Sequence, residues 1–352
     1  MHLRARENVI GARRTRRRIF ARELLRAHER KIAEAHRLHR ARGRADVAGV
    51  RGVDQHDANG NVQGRSMCAA RAEVGLPSDR RLFYAARPMH GMVNIAVRAA
   101  RRAGEIMVRQ LNQLEALKVV EKSRNEFVSQ VDQAAEAAII EVIRDHYPDH
   151  AILAEESGAA GEHEYQWIID PLDGTTNYLH GFPQFSVSIG VARKGELEHG
   201  VVYDPLRQEI FTASRGQGAQ LDGRRIRVSK RTTLQQSLIG TGFPYRANLK
   251  HIERYLKMLK AVMLESAGVR RPGSAALDLC YVAAGRVDAF FELGLSKWDI
   301  AAGGLIIREA GGRISDFHGG DGYLESGNVV AGNPKVYAAL SKLLAPFSAG
   351  VD

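Results

Sequence analysis

Residues 167–177 read Trp-Ile-Ile-Asp-Pro-Leu-Asp-Gly-Thr-Thr-Asn and carry the clearest structural signal in the chain. The apolar residues before Asp170 predict a buried strand, and the Asp-Pro and Asp-Gly pairs that follow are turn formers that end it. Asp170 and Asp173 are therefore expected at the C-terminal end of a strand, the edge at which open sheets bind ligands. Neighbouring carboxylates at such an edge need a cation, and a hard divalent metal ion is the natural candidate.

Two other segments place acidic residues at the ends of predicted elements. Residues 151–154 form a short apolar run that is followed by Glu155 and Glu156, and Asp299 precedes a helical pattern that should stop at Gly311. Three acidic ends that lie far apart in the sequence can converge on one metal cluster. Because every candidate ligand is an oxygen and no His or Cys cluster has zinc spacing, the expected ion is Mg²⁺.

Residues 170–176 resemble the D-P-[IL]-D-G-T-T signature of the inositol monophosphatase family. Residues 155–157 and 298–299 resemble the other two signatures of the family, in the expected order. The similarity runs from about Met89 to about Leu344 and is strongest to the bacterial, SuhB-type branch. It implies an α/β fold with five layers, the αβαβα sandwich that the family shares with fructose-bisphosphatases. It also implies Mg²⁺-dependent hydrolysis of myo-inositol monophosphate and related polyol phosphates.

The resemblance implies roles for individual residues. The expected metal ligands are Glu155, Asp170, the carbonyl of Leu172, Asp173 and Asp299. Thr175 and Asp132, with Glu155, would activate the attacking water. Substrate contacts would come from Gly174, Thr175, Gly273, Ser274, Ala275, Glu292 and Asp299. Lys122 occupies a family position close to the metals, and residues 123–131 would form a mobile catalytic loop.

Several of these residues also have an ordinary structural interpretation. Asp132 precedes a helical pattern over residues 133–147, and Asp299 precedes another helix, so either could be a helix N-cap. Glu155 and Asp173 could be turn acids, and Lys122 could be a solvated lysine. The occurrence of all the motifs in one order favours the metal site over these separate explanations.

The composition is that of a globular protein, with 352 residues, 26% charged and 44% hydrophobic. No apolar run approaches the roughly 18–20 residues that cross a bilayer, so no membrane association is expected. The two cysteines, Cys68 and Cys280, cannot build a disulfide framework, which favours a reducing, cytoplasmic setting.

The positive charge is concentrated at the N-terminus. Residues 1–88 hold 21 Lys and Arg against 9 Asp and Glu, which leaves 30 against 31 for residues 89–352. The Arg-rich leader could bind nucleic acid or an acidic partner, or act as a targeting peptide, although it lacks an apolar core and contains acids. We favour a third interpretation, in which Met89 is the natural start and residues 1–88 are upstream sequence. The phosphatase domain is then predicted over residues 89–352.

Partners and alternative functions follow from the resemblance. It implies a small-molecule phosphate monoester as substrate, a homodimer and inhibition by lithium. Fructose 1,6-bisphosphate and 3′-phosphoadenosine 5′-phosphate are alternative substrates for the same fold. Relatives in the SuhB-type branch are linked to transcription antitermination and ribosomal RNA maturation, so antitermination proteins or RNA are alternative partners. The nearly neutral body argues against strong RNA binding outside the leader.

Overall fold

The computed structural model describes residues 90–111, 119–123, 126–244 and 246–348, with only the backbone described for residues 119–129 and 246–248. The Arg-rich leader lies outside these ranges, so its interpretation and the domain boundary after residue 88 stay predictions. The helices are α1 (Gly91–Leu111), α2 (Gln130–Arg144), α3 (Thr175–Leu179), α4 (Ile252–Glu265), α5 (Ala275–Ala283), α6 (Lys297–Glu309), α7 (Tyr323–Ser326) and α8 (Pro334–Leu344). The strands are β1 (Val119–Ser123), β2 (Glu126–Ser129), β3 (Ala151–Ala154), β4 (Gly158–Ala160), β5 (Tyr165–Asp173), β6 (Ser186–Arg193), β7 (Glu196–Asp204), β8 (Glu209–Ser214), β9 (Gly218–Leu221), β10 (Arg224–Arg225), β11 (Leu238–Thr241), β12 (Gly268–Arg270), β13 (Ala289–Glu292), β14 (Arg313–Ser315) and β15 (Val329–Gly332).

These elements form alternating layers of helices and sheets. An eight-stranded sheet has the order β10-β9-β8-β7-β6-β5-β3-β4, and a five-stranded sheet has the order β12-β11-β13-β15-β14. Helices α1 and α2 pack against the larger sheet, α5 and α6 contact both sheets, and α4 and α8 pack against the smaller sheet. Three apolar clusters fill the interfaces: one lies under each outer helical layer, and the third covers both faces of the middle helical layer. The predicted five-layer αβαβα sandwich is confirmed.

Small residues allow the middle helical layer to approach the large sheet closely. Gly200 on β7 faces Ala302 on α6, and a Cβ atom at Gly200 would lie 2.8 Å from the Ala302 carbonyl oxygen. Any larger residue at position 200 would push α6 away from the sheet. Asp299 lies in the first turn of the same helix, three residues before Ala302.

Strand β5 continues past the position at which the turn residues predict its end. Asp170 pairs with Ser188 of β6, and Asp173 pairs with Ser186, so three steps on β5 match two on β6. This β-bulge accommodates Pro171, and the backbone N–H of Leu172 donates to Asp170 Oδ1 at 3.0 Å. Residues three apart in a regular strand point to opposite faces, whereas the extra residue turns Asp170 and Asp173 toward the same side.

Two other predictions differ from the structure near the start of α2. The helix expected over residues 133–147 occupies Gln130–Arg144, so Asp132 lies in its first turn and is not an N-cap. The segment expected as a catalytic loop contains β2, which pairs with β1 as an antiparallel hairpin through Val120 and Val128. Phe127 and Val128 have the high strand propensity that a hairpin needs.

Among the described residues, no helix is long and apolar enough to span a membrane.

Candidate active site

The carboxylates that the sequence analysis singled out converge in two adjoining groups. Carboxylate oxygens of Asp170, Asp173 and Asp299 all lie within 4.8 Å of one another. A second group with the same spacing contains Asp132, Glu155 and Glu156. Asp170 is 1% exposed and Asp173 is 8% exposed, so the first group is largely shielded from water. Either group could hold a metal ion.

The carboxyl groups of the first group repel one another. Burial raises the pKa of Asp170 well above its usual range, and the charges of Glu155, Asp173 and Asp299 raise it further. Burial and Asp299 raise the pKa of Asp173 to about 7, against the opposing effect of hydrogen bonds to its carboxylate. Among the residues whose side chains the structure describes, no lysine or arginine forms an ion pair with Asp170 or Asp173. A bound cation would relieve this repulsion.

Asp173 is held by the N-terminus of α5. Its carboxylate accepts hydrogen bonds from Ser274 Oγ at 2.5 Å, from the N–H of Ala276 at 2.9 Å and from the N–H of Ala275 at 3.2 Å. The first N–H groups of a helix have no partner inside it, and a carboxylate is favoured beside them. Ser274 is fully buried and does not line the cavity, and its role as a substrate contact stays a prediction.

Asp299 lies three residues inside the N-terminus of α6. The N-cap is Ser296, and Asp299 Oδ2 accepts the N–H of Ser296 at 2.7 Å in a capping box. The interpretation of Asp299 as the N-cap itself is therefore replaced by this neighbouring capping role. Ser188, which pairs with Asp170 across the sheet, donates to the carbonyl of Trp298 at 3.0 Å and so anchors this end of α6 beside β5.

Thr175 lies between Asp132 of the second group and the end of β5. Its Oγ1 lies 3.2 Å from Asp132 Oδ2 and 3.0 Å from the carbonyl oxygen of Leu172, and its proton can be donated to either acceptor. Asp132 is buried in the first turn of α2. The threonine hydroxyl is therefore polarised by one predicted catalytic acid and one predicted metal ligand, as the resemblance implies.

The sequence analysis did not identify Glu136, which holds the turn that follows Glu155. Glu136 of α2 is buried, and its two carboxylate oxygens accept the N–H groups of Glu156 and Ser157, each at 2.8 Å. The sequence offers one clue to this role. Glu136 lies four residues after Asp132, and therefore on the same face of the helix, and the nearby Ile139 belongs to the core.

Most of the predicted site residues open onto one cavity of about 410 Å³. Those that line it are Glu155, Asp170, Leu172, Asp173, Gly174, Thr175, Gly273, Ala275, Glu292 and Asp299. Asp132 does not line the cavity, but its Oδ2 lies 3.2 Å from the hydroxyl of Thr175, which does. Lys122 lies in β1, in the part of the chain for which only the backbone is described, and its role stays a prediction.

Gly174 is predicted to tolerate no side chain. Its φ of 94° lies in the left-handed region, and a Cβ atom would lie 2.9 Å from the Gln184 carbonyl oxygen. We expect Gly174→Ala to lower the free energy of unfolding by more than the roughly 1–2 kcal/mol that the backbone conformation alone costs, and to reduce phosphate release. Gly195→Ala is the matched control, because Gly195 has a φ of 84° and open space around it. Equal thermal unfolding of the two variants would contradict the expected steric overlap.

Comparison with known proteins fits this geometry. The sequence profile of the inositol monophosphatase family matches residues 89–347. The chain belongs to this family. The Nus factor SuhB of Pseudomonas aeruginosa is 53% identical over 263 residues, which cover 73% of this chain and 97% of that protein. The profile and these relatives support a phosphatase fold, and the two acidic groups suit a family that is typically metal-dependent.

Solved structures of the inositol monophosphatase family superimpose on this chain. The extragenic suppressor protein suhB of Bartonella henselae has a TM-score of 0.71 and 44% identity, covering 72% of this chain and 98% of that one. The inositol monophosphatase of Anabaena has a TM-score of 0.63 and 39% identity, covering 72% and 95%.

Proposed function

We propose that the protein is a Mg²⁺-dependent phosphomonoesterase that hydrolyses myo-inositol monophosphate and related polyol phosphates to the alcohol and inorganic phosphate. The observation that carries the proposal is the convergence of the Asp170, Asp173 and Asp299 carboxylates on one cavity, with Asp170 and Asp173 buried. Membership of the family supports a phosphatase, and the Anabaena relative, named an inositol monophosphatase, supports the substrate class.

The donor set suits Mg²⁺. Glu155, Asp170 and the Leu172 carbonyl would hold one ion, and Asp170, Asp173 and Asp299 would hold another. All of these donors are oxygens, which hard divalent cations prefer, and neither acidic group contains a histidine or a cysteine. Bound Mg²⁺ would lower the pKa of a coordinated water and neutralise the leaving oxygen.

The protein's own groups would orient the reactants. While its hydroxyl donates a hydrogen bond to Asp132 or to the Leu172 carbonyl, Thr175 Oγ1 keeps lone pairs that can accept a hydrogen bond from water in the cavity and so orient it. The first N–H groups of α3, which follow the left-handed turn at Gly174, have no partner inside the helix and would bind the phosphate oxygens. Glu292, at the end of β13, would accept hydroxyl donors of the alcohol.

A substrate panel tests the proposal. Metal-free protein should release phosphate from myo-inositol 1-phosphate only when Mg²⁺ is added, and lithium should inhibit the reaction. Parallel assays use glycerol 2-phosphate, fructose 1,6-bisphosphate and 3′-phosphoadenosine 5′-phosphate. A higher kcat/KM for either bisphosphorylated substrate would assign the alternative activity. Absence of phosphate release from every ester with Mg²⁺ would contradict the proposal.

A second role is favoured by the relatives named Nus factor SuhB. We propose that this chain also binds proteins or RNA of the transcription-antitermination machinery. RNA binding should fall with salt and should depend on residues 1–88. Binding that survives deletion of those residues would instead assign it to the body.

A homodimer is supported by exposed apolar residues on α4 and the turn before it. Leu256, Met263 and Leu264 on α4 are 48%, 62% and 75% exposed, and Leu249, in the preceding turn, is 43% exposed. Such a face is typical of a helix that packs against another surface. We expect the double variant Leu256→Asp/Met263→Asp to be monomeric by light scattering, with Lys257→Asp as the control on the same helix. An unchanged dimer mass in the double variant would exclude this face as the contact.

A cytoplasmic location is also proposed, supported by the buried free thiol of Cys280.

A further inference from the structure

The cavity has a corner that is formed by residues outside the metal site. Gly242 follows β11, and Glu292 ends β13. These strands are parallel neighbours in which Thr241 pairs with Phe291, so Gly242 and Glu292 lie side by side at their C-terminal ends. Phe243 and Arg271 complete the corner, and all four residues line the cavity.

The absence of a side chain at Gly242 sets the position of the Glu292 carboxylate. A Cβ atom at Gly242 would lie 1.8 Å from Glu292 Oε1 and 2.0 Å from its Cδ. The carboxylate therefore occupies the volume that any other residue at position 242 would fill. Two paired strands hold the backbone on both sides, so the carboxylate has a defined place in the corner.

Arg271 brings a positive charge to the same corner. Its guanidinium carbon lies 4.9 Å from the centre of the Phe243 ring, a cation–π distance. Among the residues whose side chains the structure describes, it is the one lysine or arginine that lines the cavity. Burial raises the pKa of the Asp278 carboxyl in α5 well above its usual range, and the charge of Glu292 raises it further, whereas that of Arg271 lowers it. The corner thus combines one cation with two carboxyl groups.

We propose that Arg271 is a specificity-determining residue, which forms with Glu292 a donor–acceptor pair for two hydroxyls of a polyol monophosphate. One hydroxyl would donate to the Glu292 carboxylate, and the other would accept from the Arg271 guanidinium. This inference rests on the proposed phosphatase function.

The test compares two esters. Myo-inositol 1-phosphate has hydroxyls for the corner, whereas p-nitrophenyl phosphate has none. We expect Arg271→Met to lower kcat/KM for the inositol ester about 10- to 100-fold, mainly through KM, and to lower it less than about threefold for the nitrophenyl ester. Arg270→Met is the matched control, because Arg270 is exposed and donates to the Val269 carbonyl. Light scattering at the assay concentration shows whether a variant has changed its oligomeric state, and so distinguishes that effect from a loss of substrate contacts.

The outcomes are distinct. Equal losses on both esters, or no loss on the inositol ester in a folded variant, would overturn the proposal. If Arg271→Met does not fold, Arg271→Lys should give a smaller loss confined to the inositol ester, and a uniform loss would again overturn it. Failure of the unmodified protein to hydrolyse either ester with Mg²⁺ would contradict the phosphatase function itself and not the role of Arg271.

Discussion

Replacing Asp170 by asparagine is expected to lower turnover by on the order of 10³ and to stabilise the metal-free protein at the same time. Turnover should fall because the variant loses the carboxylate that both proposed metal positions share. Stability should rise because Asp170 is buried among Glu155, Asp173 and Asp299, and the pKa of its carboxyl is raised by that burial and by their charges.

Whether the variant gains or loses stability follows from the direction in which folding shifts the pKa of Asp170. A carboxyl whose folded-state pKa lies above its unfolded value of 3.8 costs folding free energy once the pH exceeds that value. A neutral asparagine avoids this cost at pH 7, so the metal-free variant should melt a few degrees above the unmodified protein. Adding Mg²⁺ should raise the melting temperature of the unmodified protein more than that of the variant.

Thermal melts and phosphate release, each with EDTA and with Mg²⁺, measure both effects. Asp145→Asn is the control, because Asp145 is exposed and follows α2. A metal-free Asp170→Asn variant that melts below the unmodified protein would show that Asp170 contributes to the fold in another way.

Asp173→Asn is expected to abolish turnover almost completely and to destabilise the protein. The Asp173 carboxylate accepts hydrogen bonds from Ser274 and from the N–H groups of Ala275 and Ala276. An asparagine offers one acceptor oxygen where the carboxylate offers two, so a buried donor loses its partner at a cost of about 1–3 kcal/mol. The variant also removes the repulsion between Asp173 and Asp299, and this gain acts against the cost of the lost hydrogen bond.

The comparison of the two variants is the sharpest test of the site. Without metal, Asp173→Asn should melt below both the unmodified protein and Asp170→Asn, although both variants lose the same charge. Circular dichroism melts in EDTA measure this order. An Asp173→Asn protein that melts at or above Asp170→Asn would mean that α5 does not depend on the Asp173 carboxylate. Full activity of Asp173→Asn at saturating Mg²⁺ would remove Asp173 from the metal ligands.

Much of the fold could be predicted from local patterns. The helix over residues 92–111, the strand before Glu155 and the antiparallel run after residue 185 all depend on hydrophobic periodicity and turn residues, which act between near neighbours in the chain. The family signatures around Asp170, Glu155 and Asp299 identified the acids that meet in the cavity. The boundaries were less accurate, as in α2, because tertiary contacts extend or shorten helix ends.

Motifs and periodicity are local properties, so the order of residues along the chain was enough to name the acidic side chains of the proposed site and the elements that hold them. The way in which those side chains face one another depends on the folded chain. The β-bulge that turns Asp170 and Asp173 to one side depends on pairing with β6, and the hydrogen bonds from Glu156 and Ser157 to Glu136 join two separate elements. The fit of Glu292 over Gly242 requires β11 and β13 to be neighbours. Such contacts form between residues that are distant along the chain, and no local pattern encodes their geometry.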